Sequence, residues 1–218
     1  MKPKLVIWGA SDHAMVVADI IRLCEEYELV GFLDDMNPER HGAVFFGSTI
    51  IGGKEQLNEL RRQGVHHVIF GFGHAEARLL LAEHVRAQGF RLATAIHPHA
   101  VIAADVAIRE GTVIKAGAVV DPDVTIGGNV IIGAGATIAH GSTPAKGVRI
   151  SGGADLAGRV HIEEAAWIGV GAVIKNHVRI GARALIGAGA VVVEDIPEGM
   201  VGYGNPARVV RKVTIHDY

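Results

Sequence analysis

An aliphatic residue recurs at every sixth position from residue 102 to residue 192: Ile102, Ile108, Ile114, Val120, Ile126, Ile132, Ile138, then Pro144, then Ile150, Leu156, Ile162, Ile168, Ile174, Ile180, Ile186 and Val192. Pro144 is the single interruption. An amphipathic helix repeats near 3.6 residues and an alternating strand at 2, so neither sustains a period of six over this length. A parallel β-helix does. Three short strands make one triangular coil of about eighteen residues, the recurring aliphatic points into the shaft, and coils stack at the strand spacing of about 4.8 Å. The hexads therefore predict about five coils, with the β-helix running continuously over residues 96–193 and the hexad aliphatics inside.

Composition agrees with a narrow interior. Hydrophobic residues make up 49% of the chain but aromatic residues only 5%, so the apolar content is almost all Val, Ile, Leu and Ala. With 21 basic and 23 acidic residues the chain is close to neutral, which argues against a nucleic-acid partner. Cys24 is the only cysteine and cannot form an intrachain disulfide. No apolar run approaches membrane-spanning length, and the chain opens on the strand-like Lys4–Trp8 rather than a leader, so a soluble, cytoplasmic protein is expected, with no membrane partner.

Ahead of residue 96 the periodicity is different. Leu5–Trp8 is a short apolar run, followed by Gly9-Ala10-Ser11-Asp12-His13 and a helical segment over about residues 14–26 with Val16, Val17, Ile20, Ile21 and Leu23 on its apolar side. Leu29–Leu33 reads as a second strand closed by Asp34-Asp35, Val65–Phe70 as a third, Gly71–Gly73 as a tight turn, Ala75–Gln88 as a helix and Arg91–Ile96 as a further strand. Strand, turn, helix, strand and acidic pair in this order open an α/β nucleotide-binding unit. The first helix turn offers unpaired backbone amides to an anionic or polar ligand, and acidic residues at the end of the second strand suit ribose hydroxyls. The turn lacks a full Gly-x-Gly-x-x-Gly pattern, so a redox dinucleotide is not indicated.

Taken together, Gly9-Ala10-Ser11-x-His13, Gly31-x-Leu33-Asp34-Asp35, Gly73 with Arg78, the His97-Pro98 entry, the hexads and the closing Gly204-Asn205-Pro206-Ala207-Arg208 resemble the sugar-nucleotide N-acetyltransferase and sialic-acid O-acetyltransferase-like family of left-handed β-helix acyltransferases. The resemblance covers essentially the whole chain. It implies an α/β Rossmann-like domain over residues 1–95 that binds a nucleotide sugar, followed by a left-handed parallel β-helix over residues 96–218 with a C-terminal tail. It also implies a homotrimer with its sites in the clefts between neighbouring β-helices. The expected reaction is acetyl transfer from acetyl-CoA to the amine of a nucleotide-linked 4-amino-dideoxy sugar, for surface polysaccharide or glycan synthesis, with no metal. A sugar O-acetyltransferase of the same fold and a non-catalytic β-helix binding protein are the alternatives.

Acetyl transfer to an amine needs a base for the amine's proton, and histidine is the natural one near neutral pH. His140 lies two positions past Ile138, pointing away from the shaft, and one coil later its column holds Gly158, then Asn176. A histidine over a glycine leaves an open notch, and in the family the catalytic histidine falls at the matching position, making His140 the expected base. The residue after that histidine is usually acidic in the family but is Gly141 here, leaving Asp121, Asp123 and Asp155 as other carboxylate sources. The segment from Ser142 to Gly147 is expected to bulge outward, because proline cannot donate to a strand ladder. By hexad register the resemblance assigns coenzyme A to Arg149, Gly158, Val170 and Ala188, and the nucleotide sugar to Ser11, Asp12, His13, Asp34, Asp35 and Gly73.

Overall fold

The computed structural model describes residues 2–217, which group into two compact units. One holds the chain through Gly73 together with Leu80–Pro98, the other His74–Leu79 and the chain from His99 onward.

The first unit is built from β1 (Lys4–Trp8), α1 (Asp12–Cys24), β2 (Glu28–Leu33), β3 (Val44–Phe45), β4 (Ser48–Gly52), α2 (Leu57–Arg62), β5 (Val65–Phe70), most of α3 (Ala75–Ala87), β6 (Arg91–Leu92) and β7 (Ala95–Ile96). Its sheet runs β3-β4-β2-β1-β5-β6, parallel throughout except for β3 against β4. Leu5, Val6, Ile7, Phe32, Leu33, Val68 and Ile69 are sealed from solvent, the near-continuous apolar run of a strand covered on both faces. Helix α1 buries Ala14, Val17, Ala18 and Ile21, one stripe at helical spacing. It begins two residues before the expected start, with Ser11 at the N-cap position, and ends where Glu25 turns left-handed at φ 54°. The hairpin of β3 and β4 and the short α2 carry no signal that sequence reasoning picked out.

The second unit is a left-handed parallel β-helix of two-residue strands. The first face stacks Val101–Ile102, Val119–Val120, Thr137–Ile138, Asp155–Leu156, Val173–Ile174 and Val191–Val192. Ala107–Ile108, Thr125–Ile126, Thr143–Pro144, His161–Ile162 and Arg179–Ile180 lie along the second, in two ladders that divide between Thr125–Ile126 and Thr143–Pro144. The third stacks Val113–Ile114, Ile131–Ile132, Arg149–Ile150, Trp167–Ile168 and Leu185–Ile186. Every register step is eighteen residues, as the hexads require. Ile126, Ile150 and Ile174 are 0% exposed. On the first face the residue two positions before the aliphatic is alanine, and Ala118, Ala136, Ala154, Ala172 and Ala190 are buried, which keeps the shaft narrow. Met200–Gly204 adds to the third face beside Leu185–Ile186 and turns back through Gly204–Ala207 into the antiparallel Ala207–Lys212.

The segment around Pro144 does not bulge. Thr143–Pro144 keeps register with His161–Ile162, and the Pro144 side chain is buried in the shaft like the aliphatics it replaces. The ladder to the preceding coil retains Thr125 N–H to Ser142 O at 3.2 Å and Gly127 N–H to Pro144 O at 2.8 Å. The missing proline N–H removes a donor without displacing the strand. Ser142 is buried too. Its hydroxyl donates to Ala157 O at 3.2 Å and accepts from Val160 N–H at 3.1 Å, so it brings no unsatisfied polar group into the interior.

Candidate active site

His140 stands on the corner between the first and second faces, and it is exposed. Its carbonyl accepts from Arg159 N–H at 2.8 Å, which fixes the corner to the next coil. The ring leans over Gly158: a Cβ built there would lie 2.7 Å from Nε2 and 2.8 Å from Cε1. Glycine at 158 is thus what gives the imidazole room, and His140 and Gly158 form one notch. Asn176, one coil further, is also exposed.

The place of the family's acidic neighbour is occupied differently. A Cβ at Gly141 would meet Arg159 Cγ at 3.1 Å, Asp123 Oδ2 at 3.6 Å and Arg159 Nε at 3.9 Å. An arginine stem thus flanks the corner from the following coil and a carboxylate from the preceding one. Asp155, another candidate carboxylate, is taken by the Thr137 hydroxyl. None of the hydrogen bonds found among the described residues joins a carboxylate to the His140 ring.

The residues expected to hold the acyl donor do not gather at this corner. Val170 and Ala188 lie on the corner between the third and first faces, one coil apart, linked by Gly189 N–H to Val170 O at 2.8 Å. Both are exposed. Arg149 lies on the third face, half-buried, with its guanidinium carbon 4.5 Å from the centre of the Trp167 ring. Burial pulls its pKa down. Within one chain, then, Gly158 shares the corner of His140, while Val170 and Ala188 sit across the first face from it.

In the first unit, the six residues expected to hold the nucleotide sugar collect at the carboxyl ends of β1, β2 and β5. Strand β1 lies between β2 and β5, so the chain departs from it in both directions, and ligands of open α/β sheets bind outside such a switch point. Ser11 Oγ donates to Gly71 O across it at 2.7 Å. Gly71 is required by close approach: a Cβ there would fall 2.5 Å from the Cβ of Ala14 in α1. Asp12 and His13 form the first turn of α1, and Gly73 follows β5.

The acidic pair divides its work. Asp34 is 4% exposed and accepts from Met36 N–H at 3.0 Å, Asn37 N–H at 3.2 Å, the Asn37 amide and Arg40 Nη1 at 3.2 Å. Arg40 also donates to Ala10 O at 3.0 Å, tying the loop after β2 to the turn after β1. Asp35 is exposed, with Oδ2 accepting from Trp8 Nε1 at 2.6 Å and Oδ1 from Lys54 N–H at 2.8 Å. Asn37, Arg40 and Trp8 were not singled out by the sequence. Only the step of three between Asp34, Asn37 and Arg40 hinted at a shared loop.

Comparison with known proteins agrees with both units. The profile described as the PglD N-terminal domain matches residues 4–85, and the bacterial transferase hexapeptide profile matches residues 159–193. No curated protein sequence matches the chain. The structure of perosamine N-acetyltransferase (PerB) from Caulobacter crescentus in complex with CoA and GDP-perosamine is 33% identical, covers 95% of this chain and 97% of that one, and superposes with a TM-score of 0.88. The acetyltransferase domain of PglB from Neisseria gonorrhoeae in complex with acetyl coenzyme A is 36% identical over 96% of this chain and 100% of that one, with a TM-score of 0.89. WeeI from Acinetobacter baumannii is 25% identical over 96% of this chain and 100% of that one, at 0.76. A hexapeptide coil carrying an outward histidine over a glycine, following a Rossmann-like α/β unit in the sequence, defines an acyltransferase. The chain belongs to the sugar-nucleotide N-acetyltransferase family of left-handed β-helix enzymes.

Proposed function

We propose that the protein transfers the acetyl group of acetyl-CoA to the amine of a nucleotide-linked amino-dideoxy sugar, with His140 as general base. The observation that carries this reading is the notch of His140 over Gly158, in a chain similar along its length to an enzyme crystallised with CoA and GDP-perosamine. The neutral amine attacks the thioester carbonyl, the new C–N bond forms and the C–S bond breaks. The amine's proton passes to the His140 imidazole and from there to the departing CoA sulfur. An amine suits this site better than a hydroxyl, because a hydroxyl needs stronger base assistance and no carboxylate among the hydrogen bonds found orients the His140 ring.

The chain acts as a homotrimer in this reading. His140 and Gly158 stand at one edge of the first face and Val170 and Ala188 at the other, so donor and base meet when one edge joins the opposite edge of a neighbouring copy. The outward side of the first face supports burial about a common axis, since Val101 is 63% exposed and Val173 41% exposed. No helix among the described residues is long and apolar enough to cross a membrane. A cytoplasmic location, where acetyl-CoA and sugar nucleotides are made, suits the reaction.

The nucleotide is assigned to the switch point of the first unit, with Ser11, Asp12, His13, Asp35 and Gly73 around it and Asp34 holding the loop. Asp35 is the residue to change, because Asp34 is committed to its internal bonds. Asp35→Ala is expected to weaken binding of the nucleotide sugar by roughly tenfold, as for loss of a charge-assisted hydrogen bond, and to leave CoA affinity intact. Isothermal titration with each ligand separately measures both. Equal loss of the two ligands would show that Asp35 supports the fold rather than the acceptor.

A further inference from the structure

A groove of about 400 Å³ runs along the second face of the β-helix, within the size range of small-molecule sites. Thr125, Thr143, Ala145, His161, Glu163 and Arg179 wall it. It starts beside the notch of His140 and Gly158. Thr143 follows His140 by three residues and His161 follows Gly158 by three, so both side chains stand on the two coils that form the notch. Three residues span at most roughly 10 Å, a distance that a pyranose ring with its substituents covers.

The polar groups of the groove are of mixed sense and their charges are balanced. Thr143 Oγ1 and His161 Nδ1 share a hydrogen bond of 2.7 Å, and none of the hydrogen bonds found among the described residues reaches His161 Nε2. A neutral imidazole and a hydroxyl joined in this way offer one donor and one acceptor outward in either tautomer: Nε2–H with the threonine oxygen, or bare Nε2 with the threonine O–H. Arg179 donates from Nε to Glu163 Oε1 at 2.5 Å and pairs with the same oxygen through Nη2. Glu163 Oε2 accepts from Ala182 N–H at 2.9 Å. A phosphate therefore meets a cation already neutralised, whereas an uncharged hydroxyl, donor and acceptor at once, meets a partner of each kind.

Pro144 adds an acceptor. It stands one coil after Ile126 in the same column, where the residue's amide would donate to Thr125 O in a complete parallel ladder. Proline has no N–H, so the ladder divides at this point and none of the hydrogen bonds found among the described residues reaches Thr125 O. The single interruption of the hexad pattern thus leaves a backbone acceptor on a residue that walls the groove. We propose that the groove holds the pyranose ring of the acceptor, with Thr143, His161 and the Thr125 carbonyl hydrogen-bonded to ring hydroxyls and the amine directed at His140. This assignment rests on the acyl-transfer reading and identifies the groups that select the sugar within it.

Thr143→Val and His161→Phe keep the bulk of the side chains and remove their hydrogen bonds. With a nucleotide-linked 4-amino-dideoxy sugar as acceptor, each is expected to raise KM for that sugar about tenfold. KM for acetyl-CoA and the inhibition constant of the matching nucleoside diphosphate are expected to stay at wild-type values. Pro144→Val returns an N–H to the ladder, so it is expected to raise the melting temperature and the same KM together. A wild-type KM in Pro144→Val would remove the Thr125 carbonyl from the site. Unchanged KM for the nucleotide sugar in both Thr143→Val and His161→Phe would overturn the proposal. So would a rise confined to acetyl-CoA, or an equal loss of affinity for the nucleoside diphosphate. Calorimetric titration with the nucleotide sugar and with the nucleoside diphosphate reads the sugar's share of binding without turnover. A share that falls in the variants while no acetyl transfer occurs counts against acyl transfer alone, and turnover with an unchanged share counts against the groove alone.

Discussion

Replacing His140 with alanine is expected to lower turnover by about 10² to 10⁴, the usual cost of losing a general base, with CoA affinity and melting temperature close to wild type. The fold should survive because the side chain is exposed and contributes nothing to the shaft. The remaining activity would come from holding thioester and amine together. The pH dependence carries further information. A base must be unprotonated to act, so the rate should rise with pH. Deprotonation of the substrate amine gives a limb of the same sign. His140→Asn separates them, since a limb that persists unchanged in that variant belongs to the amine. Near-normal turnover by either variant would remove His140 from the chemistry.

Gly158→Ala is expected to act on the same step from the opposite side. The added methyl would lie 2.7 Å from His140 Nε2, closer than real contacts allow, and the nearest movable group is the imidazole itself. Displacing a catalytic group by about 1 Å can cost on the order of 10² in rate. The expected signature is therefore a drop in kcat of about that size with little change in thermal stability, because the backbone at 158 is not what gives way. A control with alanine at Gly153, where a Cβ would meet no atom within 4 Å, separates the clash from a general effect of substitution on a corner. That control carries its own backbone cost, since Gly153 has φ 65°, so it should lose stability and keep its rate. Wild-type turnover by Gly158→Ala would mean that the ring has another productive position.

The β-helix was legible because one interaction, burial of an aliphatic into a shaft, is repeated at a fixed step. Each of Ile126, Ile150 and Ile174 could be read from its neighbours in the pattern. The same periodicity aligned His140 with Gly158 in advance of any coordinates, since an eighteen-residue step is a stacking contact. The lost donor at Pro144 does not by itself force a bulge. The ladder asks the 144 position for an acceptor as well, and Pro144 O supplies it to Gly127 N–H. The separate duties of Asp34 and Asp35 were not legible, because they depend on Arg40, Asn37, Trp8 and Lys54 converging from different elements. No periodic signal records such a convergence. The filling of the Gly141 site by Arg159 and Asp123 is an intermediate case: both lie one coil from Gly141 in its own column, so the register names them but does not say which way their side chains lean.

Acetylation of the amine of a nucleotide-linked amino sugar is tested most directly by the identity of the product. The wild-type protein is incubated with acetyl-CoA and a nucleotide-linked 4-amino-dideoxy sugar, and the nucleotide sugar is recovered and analysed by mass spectrometry with fragmentation. The intact nucleotide sugar is expected to gain one acetyl group, with the fragments placing it on nitrogen, and His140→Ala is expected to form this product about 10² to 10⁴ more slowly. An unmodified nucleotide sugar, or an acetyl group found on a hydroxyl oxygen, would contradict it.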